Sequence, residues 1–367
     1  MLETTAAAAA GIAATALVPD RLAGAAAAAA SAAARVRFGV VGVNHSHIYG
    51  MVNAVVGGGG ELVSFHAREP ALASEFATRY PAARRVADER AVTEDPTIRL
   101  VLSSIVPNER AALGIRVMQL GKDFVCDKPG ITSLSQLADV RRVQSETKRI
   151  YSIVYSERFE NRATVRAGEL VREGAIGKVI QTIGLGPHRI HPPERPDWFW
   201  DPNRYGGIIC DIGSHQFDQF LWFTGSTSGE IVASQVRNVS HPDRPAFQDF
   251  GDAMVRGNGG AGYIRVDWFT PAGLPTWGDT RLTILGTEGY IEIRKNTDLA
   301  GRPGADHLFI ADAKGVRYID CSTVELTYGR QIVDDVLNRT ETAMSQAHCF
   351  LATELALRAQ HQAHMLP

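Results

Sequence analysis

The sequence predicts an α/β fold in two parts: a Rossmann-type, doubly wound parallel sheet with helices on both faces, then a second α/β domain rich in strands. Three observations carry this expectation. From Val36 to Val154, short β-branched runs alternate with apolar residues at helical spacing, the pattern of repeated βα units. The first run ends in Gly42, as the first strand of such a sheet does when its turn serves a ligand. Beyond residue 178, strand-like runs separated by glycine-rich turns replace the alternation. The expected divisions are an alanine-rich leader over 1–34, a first domain over 35–150 and a second over 151–367.

The elements follow in order. Val36–Gly42 reads as a buried strand, and Ile48, Met51, Val52 and Val55 recur at helical spacing until Gly57–Gly60 end the helix. A strand at Glu61–Phe65 completes one βαβ unit. A helix around Leu72 and Phe76, a strand at Leu100–Ile105, a helix through Ala111, Ile115 and Met118 and a strand at Asp123–Cys126 continue it. A helix through Leu134, Leu137 and Val140 and a strand at Ile150–Val154 close the series. In the second domain, residues 178–186, 230–239, 251–269, 280–293 and 307–319 read as strands.

Composition narrows the partners. Lys and Arg total 38 against 40 Asp and Glu, a formal charge of −2, so no cationic excess exists to hold nucleic acid. The four cysteines, Cys126, Cys210, Cys321 and Cys349, are dispersed and suggest neither a disulfide framework nor a zinc ribbon. Residues 5–34 are mostly alanine, interrupted by Asp20 and Arg21. A charge at the centre of a spanning helix costs roughly 2.5–3.5 kcal/mol, so stable membrane insertion is not expected. The stretch matches the apolar and small-residue regions of an export signal without its basic start. As written the chain reads as cytoplasmic, and a truncated twin-arginine signal with a periplasmic destination is the alternative.

Ligands of such sheets bind at the carboxyl ends of the strands, which directs attention to the loops. The first is Gly42-Val43-Asn44-His45-Ser46-His47. Asn44 and His47 stand where G-x-G-x-x-G has its second and third glycines; asparagine tolerates left-handed backbone, so the turn can survive. His45, Ser46 and His47 are expected beside the cofactor phosphates, at a helix N-terminus that attracts anions. The second loop offers Ala67 and Arg68 in place of the acid that binds a ribose 2′-hydroxyl, which leans the reading from NAD to NADP. The pair His45 and His47 could also converge on a metal ion, but no barrel-spaced Lys and His series follows, and no metal centre is expected.

The fifth strand ends in Cys126-Asp127-Lys128-Pro129, and farther on stands Gly206-Gly207-Ile208-Ile209-Cys210-Asp211-Ile212-Gly213-Ser214-His215. On these motifs the chain resembles the glucose–fructose oxidoreductase, inositol dehydrogenase and rhizopine catabolism (Gfo/Idh/MocA) family. The family's Glu-Lys-Pro is here Asp127-Lys128-Pro129, one methylene shorter, and its G-G-x-x-x-D-x-G-x-H is intact. Pro107-Asn108 after the fourth strand, Glu157-Arg158-Phe159 after the sixth and Gly174–Lys178 add to the match. The resemblance covers roughly residues 36–360. It implies an open, largely antiparallel second sheet whose outer face supports a homodimer or homotetramer, and it implies Pro107, Asn108, Asp127 and Lys128 as cofactor contacts.

The resemblance also implies the chemistry. It places Asp211 and His215 beside a nicotinamide ring; four residues apart, they would share one helix face. His215 is then the proton acceptor, Asp211 its orienting partner and Lys128 the group that favours a developing alkoxide. The expected substrate contacts are Lys128, Arg158, His188, Arg189, Trp198, Asp211 and His215, on a sugar, polyol or related hydroxylated molecule. Trp268 and Trp277 read by default as sheet face or subunit interface. The expected activity is NAD(P)-dependent hydride transfer. Alternatives are a nicotinamide-dependent glycoside-cleaving enzyme of the same fold, or an inactive sugar-binding or regulatory protein.

Overall fold

The computed structural model describes residues 36–191 and 195–366. The alanine-rich leader expected over 1–34 lies outside them, as do Pro192 and Pro193 of the loop before Trp198. Among the described residues no helix is long and apolar enough to cross a membrane.

The first sheet is built as the alternation requires: β1 (Arg37–Val41), α1 (His47–Gly57), β2 (Glu61–His66), α2 (Pro70–Arg79), β3 (Arg84–Arg85), α3 (Arg90–Thr93), β4 (Leu100–Ser103), α4 (Pro107–Gln119), β5 (Asp123–Asp127), α5 (Leu134–Thr147) and β6 (Tyr151–Val154). Its six strands run parallel in the order β3-β2-β1-β4-β5-β6. β1 and β4 are neighbours although not consecutive, so the strand order reverses there and opens a crevice at their carboxyl ends. The anticipated helix face of α1, Ile48, Met51, Val52 and Val55, is the buried one. The two-residue β3 has no apolar run to announce it. Tyr151–Val154 pairs with β5, so the first sheet extends past the expected division at residue 150.

The second part contains α6 (Ser156–Phe159), α7 (Arg162–Arg172), β7 (Val179–Pro187), a 3₁₀ turn at Asp197–Trp200, α8 (Pro202–Tyr205), α9 (Ile208–Asp211) and α10 (Gly213–Thr224). Then come β8 (Gly229–Arg237), β9 (Phe250–Gly257), β10 (Ala261–Asp267), β11 (Arg281–Gly286), β12 (Gly289–Arg294), β13 (His307–Asp312), β14 (Gly315–Ile319), α11 (Tyr328–Asn338), α12 (Gln346–His361) and β15 (His364–Met365). The sheet order is β14-β13-β12-β11-β7-β10-β9-β8-β15. It is open and largely antiparallel; β7 with β10 and β8 with β15 are its parallel pairs. The strand expectations at 251–269, 280–293 and 307–319 are each a hairpin, because glycine-containing turns split them.

Helix α10 lies on β7 and is buried almost throughout. Gly184 permits that approach: a Cβ there would stand 2.5 Å from Gln216 Cγ. The chain then returns to the first domain. Gln346 at the start of α12 accepts the Tyr151 amide at 2.9 Å, and Thr353 meets the Tyr155 hydroxyl at 3.2 Å. The two sheets thus share one apolar core running from Val36 to Ala359, and the Cys210 thiol of α9 reaches Ile131 O, just beyond β5, at 3.5 Å.

Candidate active site

A cavity of about 310 Å³ opens where those elements meet. His45, Ser46, His47, Pro107, Asp127 and Lys128 line it from the first sheet, with His188, Arg189, Trp198 and Asp211 from the second domain. Ten residues expected from sequence to touch a cofactor or substrate therefore converge on one cavity.

Lys128 follows the last residue of β5 and is 5% exposed. Its Nζ donates to Asp211 Oδ1 at 2.9 Å, joining the two halves of the molecule. His215, the partner expected for Asp211, follows on α10; the backbone stays helical through Ile212, at φ −84° and ψ −45°, and Asp211 Oδ1 takes its hydrogen bond from Lys128. His215 lies behind the cavity wall, 2% exposed, with Nδ1 lacking any hydrogen-bond partner. Burial first, and then the Lys128 ammonium, hold its imidazole well below the ordinary histidine range. It is a neutral base with a free nitrogen.

The β1–α1 turn departs from expectation too. Gly42 takes the left-handed conformation at φ 78°, and a Cβ there would meet Ile105 Cβ at 2.6 Å. Asn44 does not adopt it; its Nδ2 instead donates to Glu69 Oε1 at 2.8 Å, tying the turn to the start of α2. Three amides of the turn are engaged. Asn44 donates to Ser104 O at 3.1 Å, and the His45 and His47 amides reach Ser104 Oγ and His45 Nδ1, each at 3.4 Å. Both imidazoles turn toward Asp127: His47 Nδ1 lies 2.8 Å from Oδ1 and His45 Nδ1 3.2 Å from Oδ2. Burial, followed by His47, lowers the His45 imidazole to about 4. Burial would raise Asp127, but His47, Arg110 and His45 outweigh it and hold the carboxyl well below its usual range.

The adenosine side of the crevice fits a dinucleotide better. Ala67 is buried at the end of β2, and Asn108 Oδ1 is buried without a partner at the start of α4. Arg68 is half-exposed and donates to Glu109 Oε2 at 2.6 Å. A 2′-phosphate would compete with that glutamate for the guanidinium. The residues present thus suit the adenosine half of NAD(P), whose phosphates would meet His45 and His47 in place of glycine.

On the substrate side, His188 Nδ1 donates to Gly186 O at 3.0 Å, and the ring stands edge-on to Trp268 and tilted against Trp277. Burial, then Lys128, lowers this imidazole to about 3. Trp268 and Trp277 both line the cavity, contrary to the sheet-face reading. The parallel pairing of β7 with β10, which sequence does not reveal, brings Asp267 opposite Pro187 and so carries Trp268 beside His188.

Arg189 uses its guanidinium on the carbonyls of Pro271 and Leu274, bracing the wall. Arg158, expected as a substrate contact, is buried, donates two 2.7 Å hydrogen bonds to Asp218 and does not line the cavity. Arg110 was missed. Buried within α4, it donates to the carbonyls of Ile105, Asp127 and Lys128, and so holds the β5 turn that aims Lys128. Its signal was an arginine in register with the apolar stripe of Ala111, Leu113 and Val117.

Known proteins agree with this architecture. Residues 164–292 match the family model of the GFO/IDH/MocA C-terminal domain. A crystal structure from Erwinia carotovora atroseptica SCRI1043, for which an oxidoreductase assignment has been suggested, is 44% identical with a TM-score of 0.88, over 91% of this chain and all of that one. The levoglucosan dehydrogenase of Pseudarthrobacter phenanthrenivorans is 25% identical over 237 residues, which is 62% of this chain but only 57% of that enzyme's length. A levoglucosan dehydrogenase solved with NADH and levoglucosan is 17% identical and shares the fold at a TM-score of 0.75, over 90% of this chain and 98% of that one. By its matched domain, its motifs and its two-sheet architecture, the chain belongs to the Gfo/Idh/MocA family of oxidoreductases.

Proposed function

We propose that the protein is an NAD(P)-dependent oxidoreductase acting on a hydroxyl or carbonyl carbon of a sugar, polyol or related small molecule. The observation that carries this is the buried Lys128–Asp211 contact at the wall of the inter-sheet cavity, with the free Nδ1 of His215 behind it. The levoglucosan dehydrogenase complex, which holds NADH and a sugar in the same fold, supports the substrate class. Gly42, Ala67, Arg68, Pro107 and Asn108 would hold the adenosine half of the cofactor. When bound, the nicotinamide supplies the hydride acceptor or donor.

The chain's own groups do the rest. Lys128 donates a hydrogen bond to the reacting oxygen and favours its anionic form, an effect enlarged by the burial of its ammonium. Asp211 holds the ammonium in place and shares its charge. His215, neutral and unpartnered at Nδ1, accepts the proton that leaves the hydroxyl. Trp198, Trp268 and Trp277 offer apolar faces suited to the C–H surfaces of a sugar. Titrating the protein with NADH and NADPH by calorimetry tests the cofactor half; no heat and no quenching of nicotinamide fluorescence would sink it.

A second reading rests on the engaged amides of the β1–α1 turn. If no nucleotide seats there, the cavity serves sugar binding without hydride transfer. Sugar binding that survives His215→Ala, with no turnover in the parent protein, would select it. The exposed outer face of the second sheet, where Met254, Tyr263 and Ile183 lie in one cross-strand row, supports assembly as a homodimer or homotetramer.

A further inference from the structure

His45 and His47 stand two residues apart just beyond β1, and Asp127 closes β5. In the sheet order β1-β4-β5 their strands are two spacings apart, about 10 Å. Two imidazoles on one side and a short carboxylate on the other span that gap. One ligand atom from each of the three residues lies within 4.8 Å of the others. The imidazole rings cross edge-on, with centroids 4.2 Å apart.

One Asp127 carboxylate faces both imidazoles: His45 Nδ1 lies 3.2 Å from Oδ2 and His47 Nδ1 2.8 Å from Oδ1, while the His47 amide reaches His45 Nδ1 at 3.4 Å. Each of those nitrogens can exchange its hydrogen bond to the carboxylate for a bond to a shared ion. The spacing is a few tenths of an ångström tighter than that of ligands around an ion. Metal bonds of about 2.0–2.2 Å in a tetrahedron set neighbouring ligand atoms roughly 3.4 Å apart, against 2.8 Å for His47 to Asp127 and 3.2 Å for His45 to Asp127.

We propose that His45, His47 and Asp127 bind one divalent transition-metal ion through the two Nδ1 atoms and an Asp127 oxygen, leaving its remaining coordination positions open to the cavity. Two imidazoles with one carboxylate select zinc, manganese or iron(II) over magnesium and calcium, which prefer oxygen ligands. Arg110 Nη2, 3.4 Å from Asp127 Oδ2, keeps the carboxylate in its charged, ligating form. All three ligands line the cavity opposite His188, so a hydroxyl or carboxylate oxygen of a small molecule can complete the coordination.

The site stands independently of the nicotinamide reading, because it is measured without nucleotide. Full-length protein stripped with a chelator is titrated with Zn²⁺ and with Co²⁺ by calorimetry, and the Co²⁺ complex is followed by its visible absorption. One ion per chain, with a cobalt spectrum showing nitrogen ligation, is the expected result. His45→Asn and His47→Asn should each weaken binding about tenfold or more, and the double variant should lose the cobalt spectrum. Both imidazoles are partly exposed, at 25% and 33%, so these variants are expected to fold, which circular dichroism checks. The parent's cobalt spectrum reports the ligand set without any variant. Absence of stoichiometric binding by the parent, Mg²⁺ binding as tight as Zn²⁺, or unchanged binding in the folded double variant overturns the proposal.

Discussion

Lys128 Nζ donates to Asp211 Oδ1 at 2.9 Å across the junction of the two domains, with the lysine 5% and the aspartate 13% exposed. Neither residue alone makes the site. The lysine comes from the end of a parallel strand, and the aspartate from a one-turn helix that α10 and α12 hold against the crevice. A buried ammonium without its carboxylate would be costly, so each residue fixes the other where substrate enters.

Lys128→Met should lower kcat/KM by about 10²–10⁴-fold while nucleotide affinity changes far less. Asp211→Asn, which keeps the shape but removes the charge, should fall between parent and Lys128→Met. Steady-state kinetics beside calorimetric nucleotide titration check this. Equal loss of binding and turnover in both variants would instead make the pair a structural strut.

Arg68→Ala should cost more NADPH than NADH affinity, by about tenfold, if its guanidinium leaves Glu109 for a 2′-phosphate. Parallel titrations of the two nucleotides measure it. An equal effect on both would assign Arg68 to the surface pair with Glu109 and remove the lean toward NADP.

The Arg158–Asp218–His348 cluster should make part of the stability acid-sensitive. Burial raises the Asp218 carboxyl, but Arg158 and His348 outweigh it and bring it down to about 2. A folded-state value below the unfolded value means stability that is complete above about pH 4 and lost as pH falls toward 2, amounting to about 2 kcal/mol. Denaturant unfolding of the parent and of Asp218→Asn across that window should show the parent's acid loss flattened in the variant. The variant should also be destabilised at neutral pH by about 3–5 kcal/mol, since Arg158 is left buried and unpaired.

If the outer sheet face is an interface, Met254→Lys with Ile183→Lys should turn an oligomer into monomer in light scattering. Both side chains are exposed, at 50% and 36%, so the monomer should stay folded. A parent protein that is already monomeric at micromolar concentration contradicts the assembly.

The fold was legible where periodicity is local. The βα alternation, the buried stripe of α1 and the strand-end motif at Lys128 all stand in contiguous residues. What the sequence withheld depends on pairing across distance. Trp268 joins the cavity because β7 and β10 run parallel; Arg158 leaves it because Asp218, sixty positions away, captures its guanidinium. Asp211 takes a hydrogen bond from Lys128, 83 positions away in the chain, a contact that no local helix face announces. The His45–Asp127–His47 convergence needed the strand order to bring the ends of β1 and β5 together.

The most direct test of the account is reduction of NAD⁺ and NADP⁺ by the purified protein across a panel of sugars and polyols, followed by the absorbance of the reduced nicotinamide. Turnover with at least one of them, lost in Lys128→Met, is the expected result. A parent protein that binds sugars but forms no reduced nicotinamide with any of them would contradict it.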